Sequence, residues 1–260
     1  MTEFQQPVLK SGFFRESMVV FNRQLRMNLR NPAWVLIGVM QPILYLVLFG
    51  PLLEPLIEEL GGNAYNWFVP GMLVQLGIFG AMFAGFSLIG EWREGVIEAE
   101  RVTPAARSAL LVGRLWRDML QLLVQALILV GLGYSIGMRG SVAGVVLGIV
   151  ITLLVGGACA AASNALAMST KDENVMAPVV NVVMMPILLL SGILLPMTLG
   201  AAWLQRISDF MPFRYIVDAV RDVFTGDFAS AAVVWGLTWA VALFVVALWW
   251  GASVFRKENA

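Results

Sequence analysis

The chain contains no histidine, a single cysteine and few charged residues. Only 13% of its 260 residues are charged, and the lone Cys159 lies inside an apolar run. This composition excludes disulfide frameworks, zinc sites built from Cys and His, and histidine-based acid/base catalysis. The 17 Lys and Arg residues balance the 17 Asp and Glu residues, so no basic excess indicates nucleic acid. We expect no bound metal, no catalytic residue and no nucleic-acid partner.

The chain is rich in apolar residues. Hydrophobic residues make up 59% of it, far more than in an ordinary soluble domain. A helix needs roughly 20 apolar residues to cross a bilayer. Six segments without a charged residue reach that length: 33–53, 67–89, 119–138, 142–168, 175–195 and 231–254. We therefore predict an all-α polytopic membrane protein with six transmembrane helices, a single membrane domain over residues 1–260 and no cleaved leader.

The positions of the basic residues predict the orientation. When six spans alternate across the membrane, 13 of the 17 Lys and Arg residues fall on the side of both termini. Cytoplasmic loops carry this kind of excess. The loop after the first span instead carries Glu54, Glu58 and Glu59 without a base, as expected of an outward face. The expected location is the bacterial cytoplasmic membrane, with several passes and both termini in the cytoplasm.

Residues 1–32, before the first span, predict a cytoplasmic amphipathic helix. Arginines lie on one face of such a helix, and an adjoining face carries five apolar residues at helical spacing. The apolar residues are Phe14, Met18, Phe21, Leu25 and Leu29. An apolar stripe beside arginines suits a helix that lies on the anionic cytoplasmic leaflet. A loosely bound leader that only sets the topology is the alternative.

Residues 90–118 form a densely charged loop between the second and third spans. The first part is rich in helix formers, and Thr103 followed by Pro104 is typical of the N-cap and first position of a new helix. The loop therefore predicts a short helix, a tight break and a long helix that enters the third span. Because apolar residues accompany the charges, we interpret the short helix as a docking site for a partner. A solvated linker is the alternative.

Residues 196–230 contain two amphipathic stretches on either side of Pro212. The second has one apolar stripe and places Arg214 one turn before Asp218. Neither stretch is long enough to cross the bilayer. We predict an external re-entrant helix pair that includes Asp209, Pro212, Arg214 and Asp218, since backbone at that depth must be helical or shielded. A helical hairpin outside the membrane is the alternative.

The predicted spans contain no Asp, Glu, Lys, Arg or His. Proton-coupled transporters and metal-dependent intramembrane enzymes need such groups at depth, so both classes are disfavoured, while sodium coordination by backbone carbonyls stays open. A phosphate-binding loop requires G-x-x-x-x-G-K-[ST]. None of Lys10, Lys171 and Lys257 follows a glycine. Any ATP-driven function therefore needs an ATPase on a separate polypeptide.

Four short stretches together carry a family resemblance. They are FVPG at 68–71, EGVIEAERVTP at 94–104, LSGILLP at 190–196 and FMPFR at 210–214. In this combination and order the chain resembles the type-2 permeases of ATP-binding-cassette (ABC) exporters, particularly the daunorubicin-resistance-like branch. The resemblance implies a transporter subunit rather than an enzyme. It also implies two ABC ATPase subunits per complex, which bind ATP and Mg, and a second permease chain, identical or paralogous; this chain itself would bind no cofactor.

The resemblance further implies roles for segments of the chain. The N-terminal helix resembles an interface helix, and the external pair resembles a cap over the pathway. The loop resembles the coupling helix that sits in a groove of the ATPase, and at Glu91 some members carry Asp. The residues it assigns to ATPase coupling are Glu94, Gly95, Glu98, Arg101, Thr103 and Pro104.

Polar residues inside the spans are candidates for a substrate pathway, although interhelical hydrogen bonds explain them equally well. These candidates are Gln41, Tyr45, Gln75, Asn181 and Ser191. The expected cargo is a hydrophobic or amphipathic drug, secondary metabolite or lipid, exported from the cytoplasm or inner leaflet. A lipid-linked glycan is the alternative cargo. A cofactor-free intramembrane enzyme and a membrane anchor are the alternatives from other classes.

Overall fold

The protein is a bundle of helices. The computed structural model describes residues 12–30, 33–59, 63–101, 107–194 and 197–258, and these residues form helices and no strand. The helices are α1 Phe13–Arg30, α2 Ala33–Glu59, α3 Ala64–Met82, α4 Ala84–Arg93, α5 Val96–Arg101, α6 Arg107–Ser135, α7 Val142–Thr170, α8 Glu173–Leu190, α9 Ala202–Asp209, α10 Pro212–Thr225 and α11 Ala231–Glu258, with a 3-10 turn at Met197–Leu199.

Six stretches of the described chain are long and apolar enough to cross a membrane. They are Val35–Leu52, Ala64–Arg93, Ser108–Ser135, Val142–Thr170, Glu173–Leu190 and Ala231–Arg256. The all-α polytopic fold is therefore confirmed, and the second span combines α3 and α4. The bundle has two ends: α5 lies at one, which we call the α5 end, and α9 and α10 lie at the other, which we call the α10 end.

Side-chain caps set the starts of several spans. Asn63 precedes α3, and its Oδ1 accepts hydrogen bonds from the backbone N–H groups of Tyr65 (2.9 Å) and Asn66 (3.2 Å). Ser141 and Asp172 cap α7 and α8 in the same way. Such caps satisfy N–H groups that have no partner within the helix. The sequence positions of these polar residues therefore fix where the apolar helices begin.

The second span is broken at Phe83, between α3 and α4. The Ser163 hydroxyl of α7 reaches into the break, where it accepts a hydrogen bond from the Gly85 N–H (3.0 Å) and donates to the Met82 carbonyl oxygen. A side chain that enters the backbone ladder is a known cause of helix kinks. The break leaves the Phe83 side chain 52% exposed on the side of the bundle.

The central helix α7 uses its small residues to bring other helices close. A Cβ atom at Gly144 would lie 1.7 Å from the carbonyl oxygen of Val223 in α10. At Gly148 it would lie 2.4 Å from the Phe224 ring. Small residues that recur every fourth position, as Gly144 and Gly148 do, permit such close helix approach. Here they serve contacts within one chain.

The first helix, α1, packs against α6 through a small and partly polar face. Its buried residues are Ser17, Val20 and Gln24. The predicted apolar stripe is only partly covered by the bundle. Phe14 and Leu29 are 65% and 71% exposed, whereas the rings of Phe14 and Phe21 also pack edge-on against Trp116 of α6. A helix on a membrane surface needs apolar side chains that the protein leaves exposed, and Phe14 and Leu29 meet this need.

The two short helices predicted on either side of Pro212 are present as α9 and α10. Proline occupies the first position of α10, and Gly226 ends the helix with a φ of +93°, a conformation that favours glycine. The apolar stripe of α10 packs against α3, α7 and α11, and Ile216, Val217 and Val220 are fully buried. The α10 helix is thus an integral part of the bundle, and re-entry of the pair into the membrane stays a prediction.

Candidate functional sites at the two ends of the bundle

Buried charges form a cluster at the α5 end. Arg114 of α6 is only 1% exposed, and its Nη2 donates to Glu91 Oε2 (2.7 Å) and Glu100 Oε2 (2.8 Å). Glu91 belongs to the last turn of α4, and Glu100 belongs to α5. One guanidinium group therefore joins three helices. We call Arg114, Glu91, Glu100 and their neighbour Arg23 the charge cluster.

The amphipathic helix α1 completes the charge cluster. Arg23 forms an ion pair with Glu100 Oε1, and Gln24 Nε2 donates to Glu91 Oε1 at 2.6 Å. Each carboxylate thus binds α6 through one oxygen and α1 through the other. Buried charges are tolerated when they are paired and hydrogen-bonded. With two positive and two negative groups, the charge cluster meets that requirement.

The short helix α5 has an inward and an outward face. Ile97 and Glu100 are buried against the bundle, with exposures of 3% and 7%. Glu98 and Ala99 are exposed on the other face, as is Glu94 just before the helix. Because α5 is held by one apolar side chain and by the charge cluster, a displacement of α5 acts directly on α4, α6 and α1.

Four of the six predicted coupling residues lie in α5 or in the turn before it. Glu94 is the C-cap of α4, and Gly95 forms the turn into α5 with a φ of +75°. Arg101 is the last residue of α5. Thr103 and Pro104, together with the helix start predicted there, lie outside the described residues, and α6 is described from Arg107 onward. The roles of all these residues in coupling stay predictions.

A buried arginine holds the α10 end together. Arg221 of α10 is 7% exposed, and its guanidinium carbon stacks 3.5 Å from the centroid of the Trp67 ring in α3. Its Nη2 donates to the carbonyl oxygens of Gly192 (2.8 Å) and Ile193 (3.3 Å). The side chain therefore fastens α10 both to the start of the second span and to the turn that follows α8.

Carboxylates flank this arginine. Asp218 Oδ1 lies 3.7 Å from Arg221 Nη1. Burial lowers the pKa of Arg221 to about 10, and the Asp218 carboxylate opposes that shift, so the guanidinium stays protonated at neutral pH. Arg214 pairs with Asp209 across Pro212, and its Nε lies 3.8 Å from Asp218 Oδ2. The predicted external residues therefore lie together, next to an Arg221 whose burial was not predicted.

The predicted pathway residues lie on α2, on α3 and at α8, and their role in a pathway stays a prediction. Gln41 and Tyr45 lie on α2 and hydrogen-bond to each other at 3.3 Å. Gln75 is buried in α3, and neither polar atom of its amide has a hydrogen-bond partner in the part of the chain that is described. Asn181 is exposed on α8, whereas Ser191 is buried at its end and donates to a carbonyl of the same helix.

A cavity that was not predicted opens beside the break in the second span. It has a volume of about 570 Å³, and residues from α1, α3, α4, α6, α7 and α8 line it. Arg117 and Asp118 of α6 form part of its wall. No pattern within a single span indicates this cavity, because it results from the break at Phe83 and from the helices around it.

These features are those of a multi-pass membrane protein with a short helix, α5, tied into one end and a buried helix, α10, at the other. Residues 15–225 match the ABC-2 type transporter family, and the chain belongs to that family. The resemblance found in the sequence is confirmed.

Three relatives illustrate the similarity. The daunorubicin resistance ABC transporter permease protein DrrB1 of Streptomyces coeruleorubidus is 25% identical over 233 residues, which cover 88% of this chain and 82% of that protein. The putative transport permease ycf38 of Cyanophora paradoxa is 26% identical, with 83% and 76% covered. The probable multidrug ABC transporter permease YbhR of Escherichia coli (strain K12) is 28% identical over 75% of this chain, which spans about half (53%) of that relative.

Proposed function

We propose that this chain is the permease subunit of an ATP-driven exporter that moves a hydrophobic or amphipathic cargo outward from the cytoplasm or the inner leaflet. Membership of the ABC-2 type transporter family supports the class. The names of two relatives, a daunorubicin resistance permease and a probable multidrug permease, support a drug-like cargo. The single observation that carries the proposal is the charge cluster, because it ties α5 to the helices that enter the bundle.

In this proposal the α5 end faces the cytoplasm and docks on a separate ABC ATPase. The sequence contains no phosphate-binding loop, so ATP and Mg bind the partner. The complex holds two ATPase chains and a second permease chain, identical or paralogous. The apolar residues exposed along α2 and α8 need either lipid or this second permease to cover them.

Force passes from the ATPase through the two faces of α5. The outward face, with Glu94 and Glu98, contacts the ATPase. On the inward face, Glu100 pulls Arg114 with it through their ion pair. Because Arg114 belongs to the helix of the third span, and Glu91 to that of the second, both spans follow α5. At the other end, Arg221 holds α10 as a cap against the second span.

Co-purification and transport together test this function. The full chain is purified with its associated proteins in mild detergent, and ATP hydrolysis and ATP-dependent transport are measured in proteoliposomes. Glu98→Lys reverses a charge on the exposed face of α5 and should release the ATPase. Glu54→Lys, the same replacement at an exposed position of the opposite end, is the matched control and should retain it.

Two results would contradict the proposal. One is vectorial transport by the purified chain without any ATPase. The other is equal ATPase binding and equal ATP-driven transport by the Glu98→Lys and Glu54→Lys variants, which would exclude α5 as the docking site.

A further inference from the structure

The cavity beside the break in the second span is lined by side chains of two chemical kinds. Its volume, about 570 Å³, falls in the range of about 300–1,000 Å³ that is typical of small-molecule sites. The apolar lining, which we call the aromatic wall, includes Phe83, Phe86, Met119 and Leu122. The polar lining, which we call the polar wall, includes Arg117. An amphipathic molecule matches this mixed lining.

The polar wall contains an ion pair with unused hydrogen-bonding atoms. Arg117 is 7% exposed, and its Nη2 lies 2.7 Å from Asp118 Oδ1. Arg117 Nε and Asp118 Oδ2 are buried and have no hydrogen-bond partner within the described ranges. A buried donor or acceptor without a partner is costly. Both side chains line the cavity, which makes these two unused atoms the candidates for binding a ligand.

The charges around the cavity cancel. Arg117 and Asp118, with opposite charges, are the charged residues of its described lining. A ligand with a full charge would have no counter-charge left for it, which is unfavourable in a buried site. The remaining polar lining is uncharged and consists mainly of amides: Asn28, Gln121 and Gln125. A hydroxyl group, which donates and accepts at once, suits both unused atoms.

We propose that this cavity binds an uncharged, hydroxyl-bearing amphipath, with the hydroxyl group between Arg117 and Asp118 and the apolar part on the aromatic wall. The inference rests on the proposed function and deepens it, because it names the chemistry of the cargo. The same chemistry belongs to an exported compound and to a neutral lipid of the membrane. The experiment separates these two sources.

Photolabelling with matched probes tests the site. The full wild-type chain, in nanodiscs of phosphatidylcholine, is labelled with a long-chain alcohol that carries a diazirine in its chain. The comparison probes carry the same chain with a trimethylammonium or a sulfonate group, and adducts are mapped by mass spectrometry. The alcohol should label the aromatic wall roughly tenfold more than either charged probe, the ratio that corresponds to about 1.4 kcal/mol.

Variants of Arg117 and Asp118 should change which probe labels the cavity most strongly. Asp118→Asn leaves the Arg117 charge without compensation, so the sulfonate probe should label the cavity more strongly than the alcohol does. Arg117→Gln leaves the carboxylate uncompensated, so the trimethylammonium probe should become the strongest. A role of the ion pair in packing alone predicts no such exchange of preference.

A cavity-filling variant keeps the test decisive if the charge variants fold poorly. Gly80 lines the cavity, and a Cβ atom there would meet only Gln125 Oε1, at 3.8 Å. Gly80→Leu should therefore place its side chain in the cavity and abolish labelling by the alcohol. Gly131→Leu is the matched control, because a Cβ at Gly131 of α6 meets nothing within 4 Å in the described structure. Its labelling should equal that of the wild type.

The outcomes are separable from those of the proposed function, because labelling requires neither ATP nor the ATPase. Irradiation during ATP hydrolysis by the added ATPase should give less adduct than irradiation without ATP if the bound compound is cargo, and the same amount if the compound is a resident lipid; the site stands in both cases. Alcohol adducts that persist in Gly80→Leu would overturn the proposal. So would equal labelling of the wild-type cavity by the alcohol and the charged probes.

Discussion

Replacing Arg114 by methionine tests the charge cluster most directly. Methionine keeps much of the length of the side chain but removes its charge and its hydrogen bonds. In the wild type, Arg114 binds Glu91 at 2.7 Å and Glu100 at 2.8 Å, and all three side chains are buried. The variant therefore leaves two buried carboxylates that have lost their shared partner.

The expected loss of stability follows from what each carboxylate retains. Glu100 keeps its ion pair with Arg23, whereas Glu91 keeps neutral Gln24 and has Arg23 only at 4.0 Å. Removing one partner of a buried ion pair costs about 3–5 kcal/mol, because the other charge stays buried without compensation. Arg114→Met should lower the free energy of unfolding by about that amount, measured by SDS titration of the purified chain in mixed micelles.

A triple variant separates stability from coupling. Glu91→Met, Glu100→Met and Arg114→Met together replace these buried charges by apolar side chains of similar length, and such replacements are often neutral or stabilising by about 1–4 kcal/mol. The triple variant should therefore unfold near the wild type. It should nevertheless transport less cargo per ATP hydrolysed in proteoliposomes, since α5 no longer has its ion pair to α6.

The control is an exposed ion pair at the same end. Arg93 of α4 lies 3.2 Å from Glu173 of α8, and both side chains are well exposed, at 54% and 40%. Arg93→Gln should change the unfolding free energy by less than about 1 kcal/mol and leave transport per ATP unchanged. Normal coupling in the triple variant would refute the idea that the charge cluster transmits motion. A triple variant as unstable as Arg114→Met would refute the assignment of the loss to uncompensated charge.

Three further predictions concern the α5 turn and the α10 end. Gly95→Ala forces a side chain onto a φ of +75°, which should cost about 1–3 kcal/mol and reduce ATP-driven transport in proteoliposomes, with Gly95→Asn less affected because Asn tolerates this region better. Arg221→Met removes the donor to two carbonyl groups and the stacking on Trp67, so SDS titration should show a loss of about 2–4 kcal/mol. Gly144→Val cannot fit against α10, where even a Cβ would lie 1.7 Å from a carbonyl oxygen, and should expose α10 to protease, whereas Gly131→Val should not.

The six spans could be predicted because apolar length is a property of each segment alone. Their exact ends could not. The fifth span was predicted to run to residue 195, but α8 ends at Leu190. The chain turns there at Gly192, whose φ is +74° and whose carbonyl oxygen accepts a hydrogen bond from Arg221. That contact joins residues 29 positions apart, so the hydropathy of the segment carries no sign of it.

The sites, too, were predictable where they depend on a local pattern and not where they depend on contacts between distant residues. The amphipathic stripe of α10 is a local pattern, and it is buried as its spacing indicates. The charge cluster was missed because charge-free boundaries were chosen for the spans, which left Glu91 and Arg114 in a loop. These two residues are 23 positions apart, and Gln24 is 67 positions from Glu91. A buried charge in a membrane helix is stable only when it is paired, and the fold decides which residue is its partner. The sequence of the span alone therefore does not show that such a charge can be buried.

The positions of the buried charges also bear on which energy source drives transport. The lack of charge in the predicted spans disfavoured ion coupling, and the described bundle does contain buried charges, but they lie towards its ends. The second span touches both of the sites described there: Glu91 joins the charge cluster at one end, and Trp67 holds Arg221 at the other. Between them lies only the break at Phe83, where the cavity opens. In the proposed function, a pull on α5 therefore acts on a span that also packs against α10, and the break at Phe83 is the point at which that span can bend.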